Sequence, residues 1–177
     1  MRTKRFTPSL RFAFLLIPLI LFSASACTYQ GDEFSFSAPI GFKTVQYEIP
    51  KIDANNEPES LIFSKNGQLS FWISRQNIPA ESDLDTVFNA FKTRSIEKSS
   101  HYQFISQNMI EINERTAIEY VYRTFSGEGY WQRRDVWMEN NGRAYALTCS
   151  APADSTPGLI IPVSDECIQL VEGFQFK

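Results

Sequence analysis

The sequence predicts an α+β fold, a single antiparallel β-sheet with two main helices packed on it. Three observations carry this. The segments run strands, helix, strand meander, helix, last strand, an order that segregates helices from an antiparallel sheet. Asn66-Gly67 and Asn141-Gly142 stand between β-forming runs, and Asn-Gly is the strongest short hairpin signal because both central residues need positive φ. The apolar period changes from two to about 3.6 only over residues 83–98 and 163–172.

Residues 1–26 lie outside that domain and read as a signal peptide. Arg2, Lys4, Arg5 and Arg11 form a basic lead, Phe12 to Phe22 is apolar but for Pro18, and Ser23-Ala24-Ser25-Ala26 precedes Cys27. The apolar run is shorter than the roughly 20 residues a permanent span requires, and the basic lead with a small-residue exit is the secretory pattern. Four of the 17 Lys+Arg residues leave with it. The remaining 151 residues carry 13 Lys+Arg against 20 Asp+Glu, a net charge near −7. Such a chain is not drawn to nucleic acid. With 43% hydrophobic residues and 15 Phe, it has the material for one core.

Three cysteines in an exported chain leave one over. Cys27 follows a small-residue box and resembles the lipid-attachment residue of bacterial lipoproteins, where the thiol carries a diacylglyceryl group and the new N-terminus an acyl chain such as palmitate. Ala24-Ser25-Ala26 also suits ordinary signal cleavage, which would give a secreted domain instead. If Cys27 is lipidated, Cys149 and Cys167 are left to pair. Residues 27–32 would then be a lipidated tether to the cell membrane or the outer membrane, and 33–177 the domain. A five-residue tether, Thr28 to Asp32, reaches about 17 Å at ~3.3 Å per residue, so the domain should lie close to its membrane.

The domain elements follow in order. Glu33 to Ala38 and Lys43 to Ile49 alternate apolar and polar residues and read as strands; Pro39-Ile40-Gly41 separates them. Residues 50–60 are polar and turn-rich, a loop. Leu61 to Ser64 and Gln68 to Ser74 form a hairpin. Ser82 is the expected helix cap, Asp83 and Asp85 favour the helix dipole, and Leu84, Val87, Phe88 and Phe91 make one apolar stripe. Gln103 to Ser106 and Met109 to Ile112 are short strands. Thr116 to Ser126, Tyr130 to Glu139 and Arg143 to Thr148 make a three-stranded meander. After a loop with Pro152 and Pro157, Pro162 suits the first turn of a helix over Val163 to Glu172. Gly173 ends it, and Phe174 and Phe176 form a last short strand.

Several of these segments together resemble the PsbP-like family. They are Phe34 to Phe42 (FSFSAPIGF), with its strand and Pro-x-Gly-aromatic turn, Asn141 to Thr148 (NGRAYALT) followed by Ala151-Pro152, and the Val171 to Phe176 ending (VEGFQF). The resemblance covers nearly the whole chain after residue 33. It implies the αβα sandwich that this family shares with the DcrB lipoproteins and a eukaryotic nuclear-import factor. It also implies an extrinsic, membrane-associated, non-enzymatic protein. Some members assist photosystem II and its calcium and chloride ions, but no ion-site residues here match.

The chemistry on offer is sparse. His101 is the only histidine, which handicaps a His-containing triad or a two-His metal centre, and its place after the helix suits a surface loop. No P-loop, dinucleotide or G-x-S-x-G motif occurs. Asp53, Glu57 and Glu59, and again Glu81, Asp83 and Asp85, cluster without a full calcium-loop pattern. Trp131, Arg133 and Trp137 fall on one face of a strand and offer a partner surface. Alternatively the tryptophans are core, with Arg133 snorkelling out. The expectation is a membrane-anchored, non-catalytic domain that binds or stabilises an envelope or membrane protein, without cofactor or metal. The alternative is a small-ligand or ion-binding carrier. A broad aromatic surface patch favours the first, a concave pocket with convergent polar groups the second.

Overall fold

Alternation along one strand shows how the sequence divides its side chains between two layers. In the strand Leu69–Asn77, Leu69, Phe71 and Ile73 are buried on one side, while Trp72, Ser74 and Gln76 face the other. A computed structural model of the chain describes residues 27–38, 41–44, 59–65, 69–99, 101–126, 129–153 and 165–177. The signal peptide, Asn66-Gly67, Asp53, Glu57, most of the 50–60 loop and much of the second strand lie outside the described residues.

The elements are β1 (Cys27–Gln30), β2 (Phe34–Ala38), β3 (Lys43–Thr44), β4 (Glu59–Lys65), β5 (Leu69–Asn77), α1 (Leu84–Lys98), β6 (Gln103–Ile112), β7 (Arg115–Ser126), β8 (Gly129–Asn140), β9 (Arg143–Ala153), α2 (Asp165–Glu172) and β10 (Phe174–Phe176). They form two sheets, not the single one expected. Seven antiparallel strands follow the order β3-β4-β5-β9-β8-β7-β6, and three more the order β1-β2-β10. The physical reason lies in β2. Phe36 stacks on Phe71 of β5 at 5.0 Å, and Phe34 meets Tyr145 of β9 edge-on at 6.1 Å. A strand hydrogen-bonded into the large sheet would lie in its plane and could not cover its apolar face.

The large sheet is therefore buried on both sides. Toward the small sheet and α2, Phe71, Val136, Met138, Leu147 and Leu170 form the main core. Toward α1, Val87 and Phe88 pack on Ile118, Tyr120, Trp137 and Ala146. The Cys149–Cys167 disulfide ties β9 to α2 with a Cα–Cα distance of 6.0 Å. Gly173 lets α2 turn directly into β10, since a Cβ there would sit 2.8 Å from the Ser37 carbonyl oxygen.

Glu33 pins the small sheet to the large one. Its carboxylate accepts from Arg75 (2.5 Å), from the Tyr145 hydroxyl (2.8 Å) and from Arg143. Burial raises its pKa, but the tyrosine hydrogen bond and the two guanidiniums outweigh that and hold it below the ordinary value.

Two further expectations change. The helix cap is Asp83 rather than Ser82; its side chain accepts from the Thr86 amide at 2.8 Å. Thr28 to Asp32 is not a free tether, because Cys27–Gln30 is paired along β2, with Cys27 opposite Ala38 and Gln30 opposite Ser35. Tyr29 packs on Phe34 at 5.2 Å, which holds the segment in place.

Candidate functional site

The face of the large sheet beneath α1 concentrates the polar groups that the core does not explain. Alternation along β8 puts Trp131, Arg133, Asp135 and Trp137 on that face. Register places Tyr122 and Ser150 beside Arg133, Tyr120 and Thr148 beside Asp135, and Ile118 and Ala146 beside Trp137. The three residues proposed as a surface do share a face, but α1 covers part of it. Trp137 is only 4% exposed, with Phe88 edge-on at 5.8 Å and Phe91 at 4.9 Å. Arg133 is half-buried, its guanidinium 5.4 Å from the centre of the Trp72 ring. Trp131 is half-buried further along the strand.

Asp135 was not singled out from the sequence, yet it is the most unusual group on this face. It is 0% exposed, and among the described residues neither carboxylate oxygen has a partner at full hydrogen-bond geometry. Burial pushes its pKa up to about 6. Thr148, Tyr122, the Arg133 charge and Trp137 lie near enough to oppose that only in part. Burial, then the Asp135 charge, raises Tyr120 to about 12 and pushes Tyr122 further in the same direction. A carboxyl in the middle of a strand rich in Arg and Trp was the available signal. What the sequence lacks is the burial.

Between α1 and this face runs a cleft of about 100 Å³. Trp72, Phe91, Tyr122 and Trp137 supply aromatic walls; Arg94 and Arg133 bring guanidinium groups. No Asp or Glu is among the described residues that line it.

A second feature lies at the edge of the sheet. Strand β6 is the last of the seven, so one side of its backbone has no neighbouring strand among the described residues. Phe104 is 56% and Met109 65% exposed on it. At its start His101 meets Phe125 at 5.5 Å and Tyr130 at 6.3 Å, and these two pack together at 5.2 Å. Phe104 also lies 5.8 Å from Tyr120, with the Lys92 ammonium 5.6 Å from its ring.

The remaining candidates are dispersed. Glu81, Asp83 and Asp85 are exposed around the start of α1, and among the described residues no three His, Cys, Asp or Glu side chains converge on one point. Cys27 begins β1 at the edge of the small sheet.

A seven-stranded sheet with α1 on one side and a small sheet plus α2 on the other is the αβα-type architecture that the PsbP resemblance implied. The chain is similar in fold to cyanobacterial PsbP (CyanoP) of Synechocystis sp. PCC 6803, with a TM-score of 0.61 at 14% identity over 87% of this chain and 94% of that one. It is also similar to the Ran-binding protein Mog1p of Saccharomyces cerevisiae (TM-score 0.52, 10% identity, 85% and 96% covered) and to LpqN, involved in cell envelope biogenesis in Mycobacterium tuberculosis (TM-score 0.50, 10% identity, 88% and 87% covered). The DcrB family model matches residues 60–160, more than half of the chain. The protein belongs to the DcrB family. No curated protein matches it in sequence.

Proposed function

We propose that this chain is an exported, non-catalytic lipoprotein domain, anchored through Cys27, that binds or stabilises an envelope or membrane protein. The observation that carries the reading is the open β6 edge with Phe104 and Met109 facing outward and the His101, Phe125 and Tyr130 cluster at its start. An unpaired strand edge offers backbone donors and acceptors to an added strand, and apolar side chains beside it exclude water from that contact. The same fold occurs in Mog1p, a Ran-binding protein, and in LpqN, involved in cell envelope biogenesis. Supporting the anchor, Cys27 closes a small-residue box while the other two cysteines join each other. Two acyl chains on that residue would hold firmly where a single chain binds only marginally. Since β1 begins at Cys27, the small sheet would sit directly against the bilayer.

The test is photo-crosslinking in intact cells, with a crosslinking residue at Met109 and another at the exposed Gln175 of β10. The expected result is a discrete envelope-protein adduct from position 109 that Phe104→Asp abolishes. Position 175 should not give it. An identical adduct pattern from both positions, or none from 109, would refute the β6 reading.

A further inference from the structure

The cleft under α1 lies on the opposite face of the large sheet from α2 and the small sheet, and the β6 reading does not use it. Its wall chemistry is one-sided. Arg75, Arg94 and Arg133 contribute to the lining, and no carboxylate does. Arg75 is already held by Glu33 at 2.5 Å, and Arg94 donates to the Ala90 carbonyl at 3.3 Å. Arg133 is left: among the described residues its buried Nε has no acceptor at hydrogen-bond geometry, whereas the Nε1 of Trp137, almost wholly buried in the same wall, lies close enough to Asp135 to hold down the pKa of that carboxyl. Buried donors without acceptors are rare in folded proteins because each costs its full desolvation. Asp135 next to them balances charge from below but does not line the cleft.

We propose that this cleft is a binding site for a small organic monocarboxylate with a flat, apolar body. Arg133 holds the carboxylate, and Trp72 and Phe91 receive the body. A guanidinium fork matches a carboxylate in two parallel hydrogen bonds, and it can stack on an aromatic ring while doing so, as Arg133 does on Trp72. A cation would meet the guanidiniums of Arg94 and Arg133 and, among the described residues, no lining acid. The volume of about 100 Å³ suits a molecule near the size of one aromatic ring. This site rests on the cleft alone, so it stands or falls separately from the anchor and the β6 edge.

Benzoate is a direct probe. The chain has three tryptophans, so the full-length protein in detergent, labelled with ¹⁵N-tryptophan, gives three indole N–H signals. Benzoate should shift the Trp72 and Trp137 signals saturably and leave Trp131 nearly unmoved. Benzamide, the neutral isostere, should bind about tenfold or more weakly, because it forfeits a charge-assisted pair. Arg133→Lys keeps the charge but loses the fork, and should weaken benzoate by a similar factor. Ser74→Met fills the cleft without touching Arg133 and should abolish the shifts, which keeps the test valid if changes at Arg133 disturb folding. Equal affinity for benzamide, an unchanged response in Ser74→Met, or no saturable shift at Trp72 and Trp137 would overturn the proposal.

Discussion

Asp135→Asn should make this protein more stable at neutral pH, the reverse of what losing a charge from a salt-bridged pair does. In the fold Asp135 is fully buried and titrates near 6, against 3.8 for the free side chain. The native state therefore keeps its proton to a higher pH than the unfolded chain does. Stability contributed by the neutral form is intact below about pH 4 and falls as pH rises toward 6. Above that both states are ionised and the cost stays constant. The gap corresponds to about 3 kcal/mol. The value of about 6 already includes the opposing attraction of Arg133, so asparagine, of the same shape and uncharged, should recover most of that cost. The net expectation is a gain of about 1–3 kcal/mol at pH 7.5 that vanishes near pH 3.5. Urea unfolding followed by far-UV circular dichroism at several pH values measures it. A difference between variant and parent that does not change with pH would refute the reasoning, as would a variant less stable than the parent at pH 7.5.

Two further outcomes follow from the cross-links between layers. Replacing Cys149 and Cys167 together by alanine opens a bridge between residues 18 apart, which should cost about 3 kcal/mol and lower the melting temperature by about 6–12 °C; reductant should reproduce the loss in the parent and do nothing to the variant. Glu33→Gln should weaken the docking of the small sheet above pH 5, where the carboxylate between Arg75, Arg143 and Tyr145 is ionised. Its pKa is held low, so its contribution is lost only as pH falls below the ordinary carboxylate value, and parent and variant should converge in acid and in high salt.

The elements with a strong period were legible in the sequence, and their partners were less so. The stripe of Val87, Phe88 and Phe91 gave α1 almost to the residue, and the meander of β7, β8 and β9 has the pairing that the turn residues announce. The sequence pattern splits residues 103–112 into two short strands; they form one, bent by a bulge between Phe104 and Ser106. The tight turn after it uses Asn113 and Glu114 at φ 50° and 64°, which Asn signals and Glu does not. Pro152 argued for a loop, yet β9 runs through it. Among the described residues only β8 pairs with the strand beyond Ser150, and a proline there breaks no described pairing on the other side.

The separate small sheet was hidden because alternation tells which residues of β2 are buried and says nothing of which strand they pair with. The same limit governed the candidate site. Periodicity put Trp131, Arg133 and Trp137 on one face, but nothing local says that α1 would dock there rather than on the other side. Asp135 became notable only once that docking removed it from water.

The proposed membrane anchor of this DcrB-family domain is Cys27, with the other two cysteines joined to each other. Intact mass and peptide mass spectrometry of the protein isolated from its native membranes measures this most directly. The predicted result is a chain that begins at Cys27, carries a diacylglyceryl thioether and an N-acyl group, and contains the Cys149–Cys167 disulfide. A chain beginning elsewhere, an unmodified Cys27, or a disulfide that includes residue 27 would contradict it.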